Sequence, residues 1–329
     1  MRHAVVMVLL TIFLTACGGN QSALNAQGIS STALKDLITV IVSVCGLIWL
    51  MVVGCLAWAL LRRRSEPAEG QVVDHGLGKA VKLSVAGTTV IIIAFTAASF
   101  ATTRRLDSAS DADIKIVARA QQWWWQFTYQ DKNGIWLFQT ANELHIPVGQ
   151  DVRVELEALD VIHSFWIPSL AGKLDMIPGR KNVLTFRADR AGIYRGQCAE
   201  FCGLQHSHMA FVVVAENAEE YKKWTIGQIA PASHPPGAEA KAGEAVFMSK
   251  PCAACHTIRG TNASGTSGPD LTHVGSRQTL AAGLLDVTRG TLAAWVADPQ
   301  TIKPGNNMPL VPLTSDELRQ VSAYLEGLK

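Results

Sequence analysis

The chain has 329 residues, too many for one small domain and enough for two modest ones with further segments. Its 29 basic and 27 acidic residues leave a formal net charge of +2, which gives no footprint for nucleic acid. Apolar residues make up 48% of the chain and concentrate in runs near the N-terminus, while four of the seven cysteines form two close pairs in the polar part. Such spacing points to metal or cofactor chemistry more than to a disulfide framework.

At the N-terminus, Arg2 and His3 precede an apolar stretch from Ala4 to Leu14, too short to span a bilayer but suited to the core of a signal peptide. It ends in Leu14-Thr15-Ala16-Cys17, which resembles a bacterial lipoprotein cleavage box. Residues 1–16 are therefore expected to be a lipoprotein-type signal peptide and Cys17 the lipidated first residue of the mature chain. An uncleaved signal with a chance cysteine is the alternative. Residues 17–105 read as a transmembrane hairpin, with spans at about 34–61 and 83–100. The loop between the spans holds Arg62, Arg63, Arg64, Lys79 and Lys82, so the positive-inside rule puts it in the cytoplasm and everything after Arg105 on the outer face. Cys45 and Cys55 fall inside the first span and read as small packing residues.

Beyond Asp113 the pattern becomes short alternating segments such as Val152-Arg153-Val154-Glu155-Leu156, punctuated by Asn133-Gly134 and Pro178-Gly179. This predicts an all-β antiparallel sandwich or barrel over residues 106–226, with a helix from Ala218 to Trp224. Residues 227–239, rich in Pro, read as a semi-rigid linker. The remaining segment, 240–329, is predicted to be helical, its last helix opened by a capping box, Thr314-Ser315-Asp316-Glu317.

The richest chemistry lies in Cys198-Ala199-Glu200-Phe201-Cys202-Gly203-Leu204-Gln205-His206-Ser207-His208-Met209, with His163 supplied from an upstream strand end. Thiolates, thioether and imidazole together select copper over hard cations. Two Cys with two His could instead form a tetrahedral zinc site, and Cys-x3-Cys could be a redox or structural disulfide. Neither alternative explains Met209 or a β-rich exported domain.

Here a family resemblance becomes specific. The pattern Cys-x-Glu-x-Cys-Gly-x-x-His-x-x-Met, filled from Cys198 to Met209, resembles the copper loop of subunit II of the haem–copper cytochrome c oxidases. So do Asp160-Val161-Ile162-His163-Ser164-Phe165, Pro168-Ser169-Leu170 and Ile177-Pro178-Gly179-Arg180. The resemblance implies a cupredoxin-like fold and a dinuclear copper centre, CuA, bridged by Cys198 and Cys202. It assigns His163 and Met209 to one copper, and His206 with the Glu200 carbonyl to the other. It also implies a magnesium site facing the Glu200 side chain at the boundary with subunit I. His208 fits a variable position of the motif, and His145 and His75 are read as structural. In the run Gln122 to Tyr129 most aromatics read as packing near a membrane boundary, and the resemblance gives Trp123 the role of electron input.

Cys252-Ala253-Ala254-Cys255-His256 is a c-type haem attachment motif, in which the two thiols bind the haem covalently and His256 is the proximal iron ligand. A thioredoxin-like site competes, but the following His and the lack of a βαβ pattern count against it. Met308 is the only methionine after the motif and precedes a proline, as in class I cytochromes c, so it is expected to be the second axial ligand. His273 is its rival; Met248 reads as core, and Arg277 could meet a haem propionate.

These readings describe an electron-transfer subunit of a haem–copper terminal oxidase, in a bacterial inner membrane with its two modules on the periplasmic face. Oxygen reduction would occur in a partner subunit I, with subunit III also expected and the upstream donor a cytochrome c or quinol-oxidising complex. Rival readings are a CuA subunit of a nitric oxide reductase and an electron-carrier lipoprotein without an oxidase partner. One departure from the family stands out. No Asp or Glu occurs between Asp74 and Asp107, where many members carry a glutamate proposed to feed a proton path; here the stretch reads Lys79-Ala80-Val81-Lys82.

Overall fold

A computed structural model describes residues 19, 21–62, 75–106, 112 and 114–329. Cys17, the signal segment and most of the basic loop lie outside the described residues. The chain divides into two compact units, one holding residues 32–108 and the other residues 1–31 and 109–329.

The first unit contains two helices, α1 (Ile29–Leu61) and α2 (His75–Leu106), both long and apolar enough to cross a membrane. They are longer than the predicted spans because helical hydrogen bonding continues through the polar ends. At about 1.5 Å per residue, the 33 residues of α1 exceed a hydrocarbon core of about 30 Å. Large apolar side chains such as Leu47 and Leu60 point outward. The hydroxyls of Thr39, Ser84, Thr89, Thr96 and Thr103 donate back to carbonyls four residues earlier. Each polar group is thereby satisfied within its own helix, which an apolar solvent demands.

The second unit begins with a segment clipped onto the sandwich. Gln27 N donates to Ser169 O, and its carbonyl accepts from Asp189 N. Ten strands follow: β1 (Ile114–Gln121), β2 (Trp124–Gln130), β3 (Trp136–Ala141), β4 (Glu143–Pro147), β5 (Val152–Ala158), β6 (His163–Trp166), β7 (Leu174–Met176), β8 (Asn182–Phe186), β9 (Gly192–Cys198) and β10 (Ala210–Glu216). They form two five-stranded sheets, ordered β3-β2-β1-β5-β8 and β4-β10-β9-β6-β7. The alternation that predicted strands also sets the faces: in β5, Val152, Val154, Leu156 and Ala158 are buried and the residues between them are less so. Trp125, Phe127, Phe165 and Phe211 interlock between the sheets, with ring centroids 4.8–6.4 Å apart.

The sandwich is not purely antiparallel, as the strand pattern predicted. β1 runs parallel to β5, and β4 parallel to β10. These pairs are joined by long excursions, whereas hairpin signals report only on adjacent strands. The helix after β10 also runs further than predicted, as α3 (Ala218–Ile229), capped by the Asn217 side chain on Glu220 N. Its Trp224 stacks on His145 at 4.0 Å between centroids.

The C-terminal module consists of α4 (Ala238–Ser249), a short α5 (Cys252–Cys255), the two-residue strands β11 (Thr279–Leu280) and β12 (Leu285–Asp286), α6 (Arg289–Ala297), α7 (Pro299–Ile302) and α8 (Ser315–Gly327). The capping box at α8 forms reciprocally: Thr314 N donates to the Glu317 carboxylate and Glu317 N to the Thr314 hydroxyl. α4 crosses α8 so closely that a Cβ on Gly243 would lie 2.0 Å from Gln320 O. Phe247, Ile258, Leu292, Val321 and Leu325 share the core. The Pro-rich connection is tied down rather than loose, since Ala232 N donates to Arg259 O and the Arg259 guanidinium to Ile229 O. The two modules also bond directly: Ala210 N to Ala282 O, Gln278 N to the Glu143 carboxylate and Gln205 Nε2 to Pro304 O.

Candidate metal and haem centres

Four elements deliver the soft donors to one place. His163 opens β6, Cys198 ends β9, Cys202 and His206 lie on the following turn, and Met209 immediately precedes β10. The Cys198 and Cys202 sulfurs are 3.8 Å apart. That is far beyond the ~2.05 Å of a disulfide and leaves both sulfurs free to face common metals. His163 Nδ1 lies 3.8 Å from Cys198 Sγ, and His206 Nδ1 3.6 Å from Cys202 Sγ. Met209 Sδ is 3.8 Å from Cys202 Sγ, and the Glu200 carbonyl 3.2 Å from Cys198 Sγ. The ligand atoms of His163, Cys198 and Cys202 all fall within 4.8 Å of one another, in buried surroundings. Two thiols, two imidazoles, a thioether and a carbonyl suit copper better than a hard cation or a four-ligand zinc site.

The cradle is oriented by groups beyond the donors. His163 Nε2 donates to the Asp160 carboxylate at 2.8 Å, which fixes the tautomer and turns Nδ1 toward the sulfurs. Asp160 stands in the sequence block already singled out, but its task follows only from this bond. Hydrogen bonding between the two sulfurs pulls the Cys198 pKa down against the opposing effect of burial, while the same pairing pushes Cys202 up. Trp123 Nε1 and Gln122 Nε2 both donate to the Cys202 carbonyl, at 3.0 and 2.8 Å. Gly203 permits this approach: its φ is +112°, and a Cβ there would meet Gln122 Nε2 at 3.0 Å and the Trp123 ring at 3.2 Å. His208 bonds to Gln205 Oε1 instead of facing the sulfurs. The Glu200 carboxylate points to solvent, 3.8 Å from Lys173 Nζ.

The C-terminal module encloses a cavity of about 520 Å³ whose lining includes Cys252, Cys255, His256, Arg277, Met308 and, from the other module, Trp123. His256 Nδ1 donates to Pro269 O at 2.8 Å, which leaves Nε2 as the free ring nitrogen. Burial lowers the His256 pKa, so the ring is held neutral, as an iron ligand must be. A Cβ on Gly268 would lie 2.6 Å from the imidazole, so only glycine lets the chain pass there. Two thiols one helical turn apart, a neutral imidazole and a thioether around such a volume fit a covalently held haem. His273 lies outside this lining, with Nε2 bonded to Ala230 O, so the structure does not bring it toward His256. Arg277 lines the cavity and donates to Asp270 O, while Met248 packs against the core.

Lys303 carried no signal in the sequence. It is 2% exposed and donates to Trp123 O, His208 O and Ala281 O at 2.8, 2.8 and 2.9 Å. Burial pushes its pKa down to about 7, opposed by the nearby charge of Cys202, and each of its three ammonium protons has a carbonyl acceptor.

Residues 114–216 match the family described as cytochrome C oxidase subunit II, periplasmic domain, and residues 240–329 match the cytochrome c family. A cytochrome c oxidase subunit 2 of Alkalihalophilus pseudofirmus is 33% identical over 331 residues, covering 97% of this chain and 95% of that protein. Its counterpart in Bacillus subtilis is 38% identical over 232 residues, covering 67% of this chain and 64% of that protein. Among solved structures, the periplasmic domain of subunit II of cytochrome oxidase from Bradyrhizobium japonicum is 32% identical with a TM-score of 0.34, covering 36% of this chain and 94% of that one. The long match to the Alkalihalophilus protein runs through the apolar helices, the sandwich and the haem module alike, and by it this chain belongs to the cytochrome c oxidase subunit II family, with a cytochrome c module at its C-terminus.

Proposed function

We propose that the chain is a two-station electron relay, the electron-transfer subunit of a haem–copper oxidase, whose C-terminal module would hold the haem c that takes electrons from an external donor and whose sandwich would hold the dinuclear CuA that serves the oxygen-reducing partner. The observation that carries the reading is Trp123. Its ring lines the haem cavity, and its Nε1 donates to the carbonyl of Cys202, between the copper donors. One indole thus bridges the two candidate centres by packing on one side and a hydrogen bond on the other.

In this reading Cys198, Cys202, His163, Met209, His206 and the Glu200 carbonyl would hold the copper pair, with the two thiolates shared between the metals. Cys252 and Cys255 would hold the haem covalently, and His256 and Met308 would bind its iron. When bound, a thiolate-bridged copper pair shares one electron between two metals and a His/Met-ligated haem supplies a one-electron couple of relatively high potential. The protein's task is to keep geometry constant between oxidation states. The β-sheet ends fix His163, Cys198 and Met209, Asp160 holds the His163 ring, and Pro269 O holds the His256 ring. His163, Cys198, Cys202 and Met209 are buried, which keeps water away from those donors. The exposed Glu200 carboxylate, beside the copper loop, is assigned to a magnesium ion at the contact with subunit I. The two apolar helices are assigned to the bacterial inner membrane, with Cys17 lipidated, and subunit III and a cytochrome c or quinol-oxidising donor complete the expected partners.

The test is spectroscopic, on the full chain in its complex. Absorption should show a haem that stays with the polypeptide on denaturation, and EPR should show one electron shared by two copper nuclei. A signal from one isolated copper, or a haem released on denaturation, would sink the reading.

A further inference from the structure

Lys303 lies where the two modules meet. Two of its acceptors, Trp123 O and His208 O, belong to the copper module, and the third, Ala281 O, to its own. The side chain leaves the C-terminal end of α7 and enters the other module almost without exposure. A long cation seldom loses its water unless its donors are all met, and here each of three protons has a carbonyl.

The surroundings are shaped to the same end. Ala281 and Ala282 both take left-handed backbone angles, with φ of 54° and 63°, which alanine rarely adopts. The first aims its carbonyl at Lys303, and the second aims its carbonyl at Ala210 N of the copper module. Strain of this kind persists where surrounding contacts over-determine it. On the other side, Gln205 from the copper loop donates to Pro304 O, and Gly305 packs against the Trp123 ring. From Lys303 the chain reaches Met308 through a stitched loop: Gln300 Nε2 donates to Asn306 O and Met308 O, and Met308 N to the Asn306 side chain.

We propose that Lys303 is a positioning residue: it latches the Met308 loop of the cytochrome module onto the Trp123 backbone of the copper module, so that the cytochrome stays docked and the Trp123 face is reserved for the chain's own haem. The proposal deepens the relay reading and rests on it for the electron path, while the latch itself needs only the protein contacts. It follows that an external donor acts on the cytochrome module and not on the Trp123 face.

The test compares the wild-type complex with Lys303→Met, which keeps the bulk and removes every donor. Hydrogen–deuterium exchange should speed up by roughly tenfold or more in segments 121–125 and 303–308 and stay unchanged in α8. Haem and copper spectra should be retained, while electron transfer from haem to copper slows by roughly tenfold as the loop loses its seat. A merely structural role would instead loosen α8 or alter the spectra. Unchanged exchange in both segments, or unchanged internal transfer, overturns the proposal. Should K303M fail to fold, Lys303→Arg serves: a planar guanidinium cannot present three protons from one atom, so exchange should still quicken, and wild-type behaviour would overturn the latch. Absence of either metal spectrum from the wild-type chain would instead overturn the relay, leaving the exchange result to judge the latch.

Discussion

The copper cradle and the haem cavity solve the same problem with opposite architecture. Five of the six donors proposed for copper lie within one stretch from Cys198 to Met209, with His163 beside them on the same five-stranded sheet. Each is anchored at a strand end or a turn whose hydrogen bonds run from protein to protein. The haem cavity is instead walled by side chains from three helices, Phe247 of α4, Leu292 and Val296 of α6 and Val321 and Leu325 of α8, together with α5, β11 and loops. The proposed copper site is thus a preformed socket at the edge of a sheet scaffold, whereas a bound haem would complete the core of its module.

The largest effect should come from removing the haem anchors. The apolar side chains that line the cavity, among them Phe247, Leu292 and Val321, have no packing partner across it unless a haem is held there. Cys252→Ala with Cys255→Ala should therefore render 240–329 protease-sensitive while leaving the sandwich resistant; a resistant haem-free module would break the comparison.

Next comes Cys202→Ser. The shared-electron EPR signal should vanish and oxidase turnover should fall by about a hundredfold or more, yet the melting transition of the sandwich should shift by less than about 2 kcal/mol. Global unfolding would show that copper, too, is part of a core.

Smaller again is Asp160→Ala. With the Nε2 partner lost, copper affinity should drop about 10–100-fold by competition titration, with Asp160→Asn recovering part of it. An unchanged affinity would mean that the β-sheet alone orients His163.

The smallest effect is one of pH. Burial lowers the His145 pKa, but hydrogen bonds to Glu143 and Glu216, both at 3.0 Å, outweigh it and leave the value above the ordinary 6.5. A raised histidine pKa stabilises fully below the unfolded value. The sandwich should thus lose stability as pH rises from about 6.5 through the raised value. Because Glu143 also accepts from Gln278 N, the loss should register at the module junction as faster exchange there. His145→Gln should flatten the pH dependence of melting, and a dependence that persists in this variant would point to another group.

What the sequence makes legible is what lies close together in it. The copper loop, the Cys-x-x-Cys-His motif, the apolar helices and the Thr314 capping box are all contiguous patterns. What stays hidden is non-local. The parallel pairings of β1 with β5 and β4 with β10 join distant segments, and no turn signal reports them. Lys303 reads as one charge among many until the fold carries it 180 residues back to Trp123 O. The Pro-rich connection reads as a semi-rigid linker, and bonds at Glu143, Gln205, Ala210 and Lys303 join the modules it connects. Asp160 was visible beside His163, but its role depends on the ring orientation that the strand imposes.

The order of the relay can be read by mixing the intact complex, with oxygen reduction blocked, with its reduced donor and following both centres in time. Haem c should be reduced first, with copper reduction following the time course of haem re-oxidation. Copper reduced ahead of the haem, or at a rate independent of it, would overturn the relay.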